Sequence, residues 1–155
     1  MRSVDVCLTH QDFDNYDHKG KIVVVIDVLR ATSTINTLLF LGADHVRPIG
    51  SLEECKSLKD HDYIIMAERL GKKVEGFDYG NSPTKLTEKD IKGKKVAIAT
   101  SNGSKAIIKS EGSEMTILCS FLNIESVINR IKKSESDVIL LCSGSVSYTH
   151  LTLPT

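Results

Sequence analysis

The sequence predicts an α/β fold, a largely parallel or mixed sheet with helices on both faces. Three observations predict it. Short apolar runs recur at 22–26, 63–67, 96–100, 115–119 and 138–142, and runs that short and that apolar read as strands buried on both faces. Stretches with apolar residues at helical spacing alternate with them, the pattern of strands covered by helices. Several of the runs end on a carboxylate or a hydroxyl, which marks where a buried strand gives way to a polar turn.

Residues 3–8 read as the first strand, because Val4, Val6 and Leu8 alternate with polar residues. The polar stretch 10–19, with Asp12, Asp14 and Asp17, reads as a loop. The run 22–26 is β-branched throughout and leads to Asp27, ending a strand over 22–27. Arg30 then precedes Thr32, Ser33 and Thr34, residue types that cap helix N-termini. Ile35, Leu38 and Leu39 follow at helical spacing and Gly42 stops the chain, so a helix is predicted over 32–41. A short strand is expected over 45–49. Ser51 opens the next helix, with Glu53 and Glu54 in its first turn, where the dipole favours acids, and Leu52, Cys55 and Leu58 as its apolar stripe.

The strand 63–67 runs into Glu68 and Arg69. Residues 70–83 then break the rhythm with three glycines, a proline, Asp78, Asn81 and Ser82. A long aperiodic segment inside a compact domain is a candidate functional loop. The turn 92–95 precedes strand 96–100, and Ser101, Asn102, Gly103 and Ser104 open a short helix around 106–108. Strand 115–119 closes on Ser120. Asn123 is placed to cap a helix in which Ile124, Val127, Ile128 and Ile131 match an amphipathic template. Strand 138–142 ends in Ser143 and Gly144.

Composition narrows the classes. A chain of 155 residues can bury the core of one domain. Hydrophobic residues make up 41% and charged residues 26%, an ordinary soluble balance. Lys and Arg number 20, as do Asp and Glu, and this zero net charge argues against a nucleic-acid partner. No apolar run has the length of a membrane span, and the N-terminus lacks a signal-peptide core. Cys7, Cys55, Cys119 and Cys142 form no CxxC pair and read as small buried hydrophobes of a reducing compartment, so a cytoplasmic location is expected.

Parallel strands place their carboxyl ends along one edge, where open α/β sheets bind ligands. That edge would collect Asp27, Arg30, Glu68, Arg69, Ser101, Asn102, Ser104, Ser120 and Ser143. Mg²⁺ takes one or two carboxylates and completes its shell with water and phosphate oxygens, so Asp27 and Glu68 suit it. Arg30 and Arg69 suit an oxyanion, and the helix starts after residues 31 and 102 add N–H groups for a phosphate. Other phosphate chemistries lack their motifs: there is no GxxxxGK[ST] loop, no GxGxxG and no zinc spacing among the five histidines. Position 29, where a DxD phosphoaspartate motif would need an acid, is Leu29.

Three stretches, IDVLRATSTI (26–35), ERLGKKVEGFDYGNSP (68–83) and ATSNGSKAI (99–107), together with SFLN (120–123) and CSG (142–144), resemble the 2-phosphosulfolactate phosphatase family in residues, order and spacing. The resemblance implies a three-layer α/β/α domain over 1–144. It implies Mg²⁺-dependent hydrolysis of 2-phospho-3-sulfolactate to 3-sulfolactate and phosphate, with coenzyme M or sulfolactate metabolism as the setting. Asp27, Glu68 and Arg30 then become the catalytic set, with Asp27 and Glu68 on the metal. Arg30, Ser33, Thr34, Arg69, Asn81, Ser82, Ser101, Asn102, Gly103 and Ser104 become the substrate-binding set. Serines stand at 33, 101 and 104, and Leu70 stands where the family often has glycine. Residues 145–155, SVSYTHLTLPT, look unlike the family, so a truncated domain with a foreign tail is expected. A non-catalytic module binding a small phosphorylated ligand, or a hydrolase of another phosphate ester, is the alternative. A homo-oligomer remains open.

Overall fold

The computed structural model describes residues 2–144. The expected tail, residues 145–155, lies outside the described residues. The elements follow the apolar runs: β1 (Val4–Cys7), β2 (Ile22–Ile26), α1 (Ala31–Phe40), β3 (His45–Pro48), α2 (Leu52–Ser57), β4 (Tyr63–Arg69), β5 (Lys72–Lys73), α3 (Glu88–Ile91), β6 (Lys95–Ala99), α4 (Gly103–Lys109), β7 (Met115–Cys119), α5 (Ile124–Lys132) and β8 (Val138–Cys142). No helix among the described residues is long and apolar enough to cross a membrane.

The strands divide into two four-stranded sheets, ordered β1-β8-β2-β7 and β3-β6-β4-β5. Among the described residues, every pairing between these strands is parallel except β4 with β5. The period of two along each strand assigns its faces. In the first sheet, Val23 and Val25 pack under Ala106 of α4, whereas Ile22 and Val24 pack against Val127 of α5. In the second, Met66, Val96 and Ile98 meet Ile35 and Leu38 of α1, and Ile65, Ala67, Ala97 and Ala99 meet Cys55 of α2. Each sheet is thus an α/β/α sandwich, and the two share a middle layer formed by α1 and α4.

Three details differ from the sequence reading. The hydroxyls of Thr32, Ser33 and Thr34 do not cap α1, because the cap position falls on Arg30 and they lie within the first turn. Thr32 serves the turn instead: its hydroxyl donates to the carbonyls of Asp27 (2.8 Å) and Cys119 (2.7 Å). At the other end, Ala43 donates to the Leu38 carbonyl and Gly42 (φ +84°) to that of Leu39, a Schellman closure. The segment after residue 67 is not all loop, since β4 continues through Arg69 and returns as β5. On the edge strand β1, Cys7 is buried while Val4 and Val6 are 56% and 50% exposed, because α5 does not reach over that edge.

Candidate active site

The carboxyl ends of the two sheets face one another across a cleft of about 660 Å³. β2 and β8 bring Asp27, Cys142, Ser143 and Gly144 to one side; β4 and β6 bring Glu68, Thr100, Ser101 and Asn102 to the other. Arg30, Asn81 and the Leu70–Gly71 turn complete the wall.

Asp27 follows β2, where the chain turns into α1. Burial pushes its carboxyl above the usual range, and the nearby charge of Glu68 adds to this. The N–H groups of Ala31 and Arg30 and the Ser143 hydroxyl act the other way, favouring the carboxylate. Gly103 presses against the same group. A Cβ at position 103 would stand 2.5 Å from Asp27 Oδ2 and would also collide with Ala31 Cβ. Glycine is therefore what lets α4 start against Asp27.

Glu68 lies at the end of β4 on the face of Met66, which looks toward the middle helix layer. One of its oxygens, Oε2, is 3.8 Å from Arg30 Nη2. The other, Oε1, accepts the Gly71 N–H at 2.6 Å. The hairpin turn thus fixes the carboxylate that the strand presents. Asn102 is tied across the cleft mouth by its Nδ2–H bond to the Gly144 carbonyl at 3.2 Å. Beneath, the ring of His10, buried, meets the Ser143 carbonyl at 2.7 Å and braces the β8 end.

Of the residues expected at the site, Asp27, Arg30, Glu68, Asn81, Ser101 and Asn102 line this cleft, and Gly103 packs beneath it. Ser82 lines an adjoining compartment with Arg30 and Asn81. Four others are not brought to the cleft. Arg69 alternates with Glu68 onto the α2 face of β4 and donates to the Glu68 carbonyl at 2.9 Å. Ser33 donates to the Val28 carbonyl at 2.7 Å. Thr34 is fully buried in α1. Ser104 is buried too, its hydroxyl donating to the Ile98 carbonyl at 3.0 Å and accepting from the Thr100 N–H. Thr100 and Gly71 were not singled out by sequence, although Thr100 is the hydroxyl that ends an apolar run.

Asp27 and Glu68 are the carboxylates of the cleft able to hold a cation, and Thr100, Ser101, Asn102 and Ser143 around them carry oxygen donors. The negative charge of Glu68 helps to push the Asp27 carboxyl up, and a hard divalent ion between the two would relieve that repulsion. No three His, Cys, Asp or Glu side chains converge among the described residues. An ion here would take its remaining ligands from water and substrate, the habit of Mg²⁺.

The family model for 2-phosphosulpholactate phosphatase matches residues 7–151. A probable 2-phosphosulfolactate phosphatase of Caldanaerobacter subterraneus subsp. tengcongensis is 41% identical over 88% of this chain and 58% of its own length. One from Clostridium acetobutylicum is 39% identical over 92% of this chain and 62% of its own. A third, from Thermotoga maritima, is 42% identical over 81% of this chain and 54% of its own. The chain spans somewhat more than half the length of the curated relatives it matches. With a family model covering most of the sequence, the chain belongs to the 2-phosphosulfolactate phosphatase family.

Proposed function

We propose that the cleft hydrolyses the phosphate ester of a small sulfonated hydroxy acid, 2-phospho-3-sulfolactate, with Mg²⁺ held by Asp27 and Glu68. The observation that carries this reading is the meeting of Asp27, Glu68 and Arg30 at the facing ends of two sheets, with Glu68 and Arg30 at 3.8 Å. The names of the relatives supply the substrate; the residues supply a reason for it.

Arg30 offers a delocalised cation to the phosphoryl oxygens and at the same time neutralises part of Glu68. Asn102 and Ser101 add N–H and O–H donors at the start of α4, opposite Asp27. When bound, Mg²⁺ polarises the phosphoryl group and lowers the pKa of an attacking water. Asp27, buried against α1 and α4, keeps its carboxylate orientation fixed by the N–H groups of Arg30 and Ala31. The Leu70–Gly71 turn holds Glu68 and closes one side of the cleft to bulk water. In the reaction the water oxygen bonds to phosphorus, the ester P–O bond breaks, and the leaving oxygen of 3-sulfolactate gains a proton. A cytoplasmic setting in sulfolactate or coenzyme M metabolism fits this chemistry.

Phosphate release from 2-phospho-3-sulfolactate, followed with Mg²⁺ and then with EDTA, tests the reading. Release that stops with EDTA and falls by about three orders of magnitude in Asp27→Asn is the expected result, the scale of losing an electrostatic catalytic group. Folded protein that releases no phosphate, yet binds the ester, would overturn it in favour of a binding module. Equal turnover of phospholactate or phosphoglycerate would overturn the substrate assignment.

A further inference from the structure

Beyond Arg30 and Asn81 the cleft opens into a second compartment of about 470 Å³, bounded also by Lys73, Asp78, Ser82 and Lys85. Its electrostatics are opposite to those of the first. The first contains Asp27 and Glu68; the second contains Lys73, Lys85 and the shared Arg30. The acid on its wall, Asp78, is already committed: Oδ1 accepts from Lys59 Nζ at 3.1 Å and Oδ2 from the Ile65 N–H at 2.9 Å. Lys73 is held in place by one bond, to the Phe77 carbonyl at 3.1 Å, which leaves two of its N–H donors free for a ligand. Gly80 lets the chain pack closely against the base of Lys73, since a Cβ there would lie 3.3 Å from Lys73 Cβ.

Asn81 stands between the compartments. It is 3% exposed and lines both, and its Oδ1 is buried without a hydrogen-bond partner. A buried amide atom left unpaired is costly, which marks a position that a ligand completes. One acidic compartment that suits a cation and a phosphate adjoins one basic compartment that suits a second anion. Arg30 and Asn81 form the boundary, so the cleft is built for a ligand with two strongly acidic groups a few bonds apart.

We propose that the Lys73–Lys85 compartment binds the sulfonate of the substrate, with Ser82 and the Asn81 amide as further polar contacts. This deepens the phosphatase reading and rests on it for the identity of the ligand. In 2-phospho-3-sulfolactate the carboxylate is bonded directly to the carbon that bears the phosphate ester. The sulfonate sits one bond further out, on the neighbouring carbon, and reaches deeper into the second compartment. Its three oxygens suit separate point-charge donors such as two lysines, whereas a carboxylate is best matched by a planar guanidinium fork.

The test uses binding as well as turnover. Calorimetric titration of the full chain with 3-sulfolactate, its carboxylate analogue malate, and lactate, which lacks the group, is expected to give an order of decreasing affinity. The Lys73→Gln/Lys85→Gln double variant should weaken 3-sulfolactate by about tenfold or more, the scale of lost charged hydrogen bonds, and leave lactate unchanged. Lys73→Arg/Lys85→Arg keeps the charge but offers guanidinium forks, so it should bind more tightly than the Gln variant and narrow the preference for 3-sulfolactate over malate. With turnover, the Gln variant should raise KM for 2-phospho-3-sulfolactate and leave kcat, and the KM for 2-phospholactate, near wild type. Undiminished 3-sulfolactate binding in the Gln variant overturns the proposal, as does malate binding as tightly as 3-sulfolactate. If no phosphate is released but the binding order and its loss are seen, the phosphatase reading falls and the sulfonate subsite stands.

Discussion

Asp27 shows at the scale of one residue how a functional group can work against the stability of the fold that holds it. Burial raises its carboxyl above the ordinary value of 3.8, so the folded chain holds that proton more tightly than the unfolded chain does. For this group, stability is therefore greatest below 3.8 and falls as pH rises through the elevated folded value. Asp27→Asn removes the charge and keeps an oxygen for the N–H groups of Arg30 and Ala31. Melting the metal-free variant across pH should show it more stable than wild type at neutral pH, with the gain fading toward pH 3. A gain that stays constant over the whole range would mean that the charge of Asp27 is not its source. The same substitution cuts phosphate release by about three orders of magnitude in the proposed mechanism, which makes it a trade of function for stability. The sequence pointed to Asp27 because an acid after a β-branched run is conspicuous. It did not separate Glu68 from Arg69, since which of two adjacent residues faces the cleft depends on whether the strand continues through both.

The β4–β5 hairpin carries the corresponding lesson for an element. Its two turn residues, Leu70 (φ +52°) and Gly71 (φ +78°), both lie in the left-handed region, the signature of a type I′ turn. Leucine at the first position is strained and 82% exposed, so it buries little in compensation. Leu70→Gly should raise stability by about 1 kcal/mol in urea denaturation, the cost of a left-handed leucine less the entropy of a glycine. A loss of similar size would show that Leu70 packs usefully over the cleft. The turn was hidden in the sequence because Leu-Gly is not among the usual hairpin dipeptides, and two-residue strands have no periodicity to read. The helix α3 was missed for a like reason: its four residues, capped by Thr87, are too few for a repeating apolar face. By contrast the parallel strands were legible, since runs such as 22–26 and 96–99 are apolar on both faces.

For the whole molecule, what the sequence could not disclose is that the strands form two sheets. Strand pairing here is non-local: β8 lies between β1 and β2, and β6 between β3 and β4. Nothing in the order of apolar runs encodes that choice. The consequence is mechanical. The cleft forms between two sheets that share α1 and α4 as their middle layer, so its width is set by side chains from those helices. Leu38 of α1 is fully buried among Met66, Val96 and Ile98 of the second sheet, and Leu118 of β7, in the first sheet, packs against the same cluster. Leu38→Ala should cost about 2–5 kcal/mol, the usual range for a buried leucine left as a cavity. Because the layer is common to both sheets, native-state hydrogen exchange should quicken together in β2 and β7 and in β4 and β6. Faster exchange confined to β4 and β6 would mean that the sheets fold as separate units, and that the distance between Asp27 and Glu68 is not governed by the packing of α1.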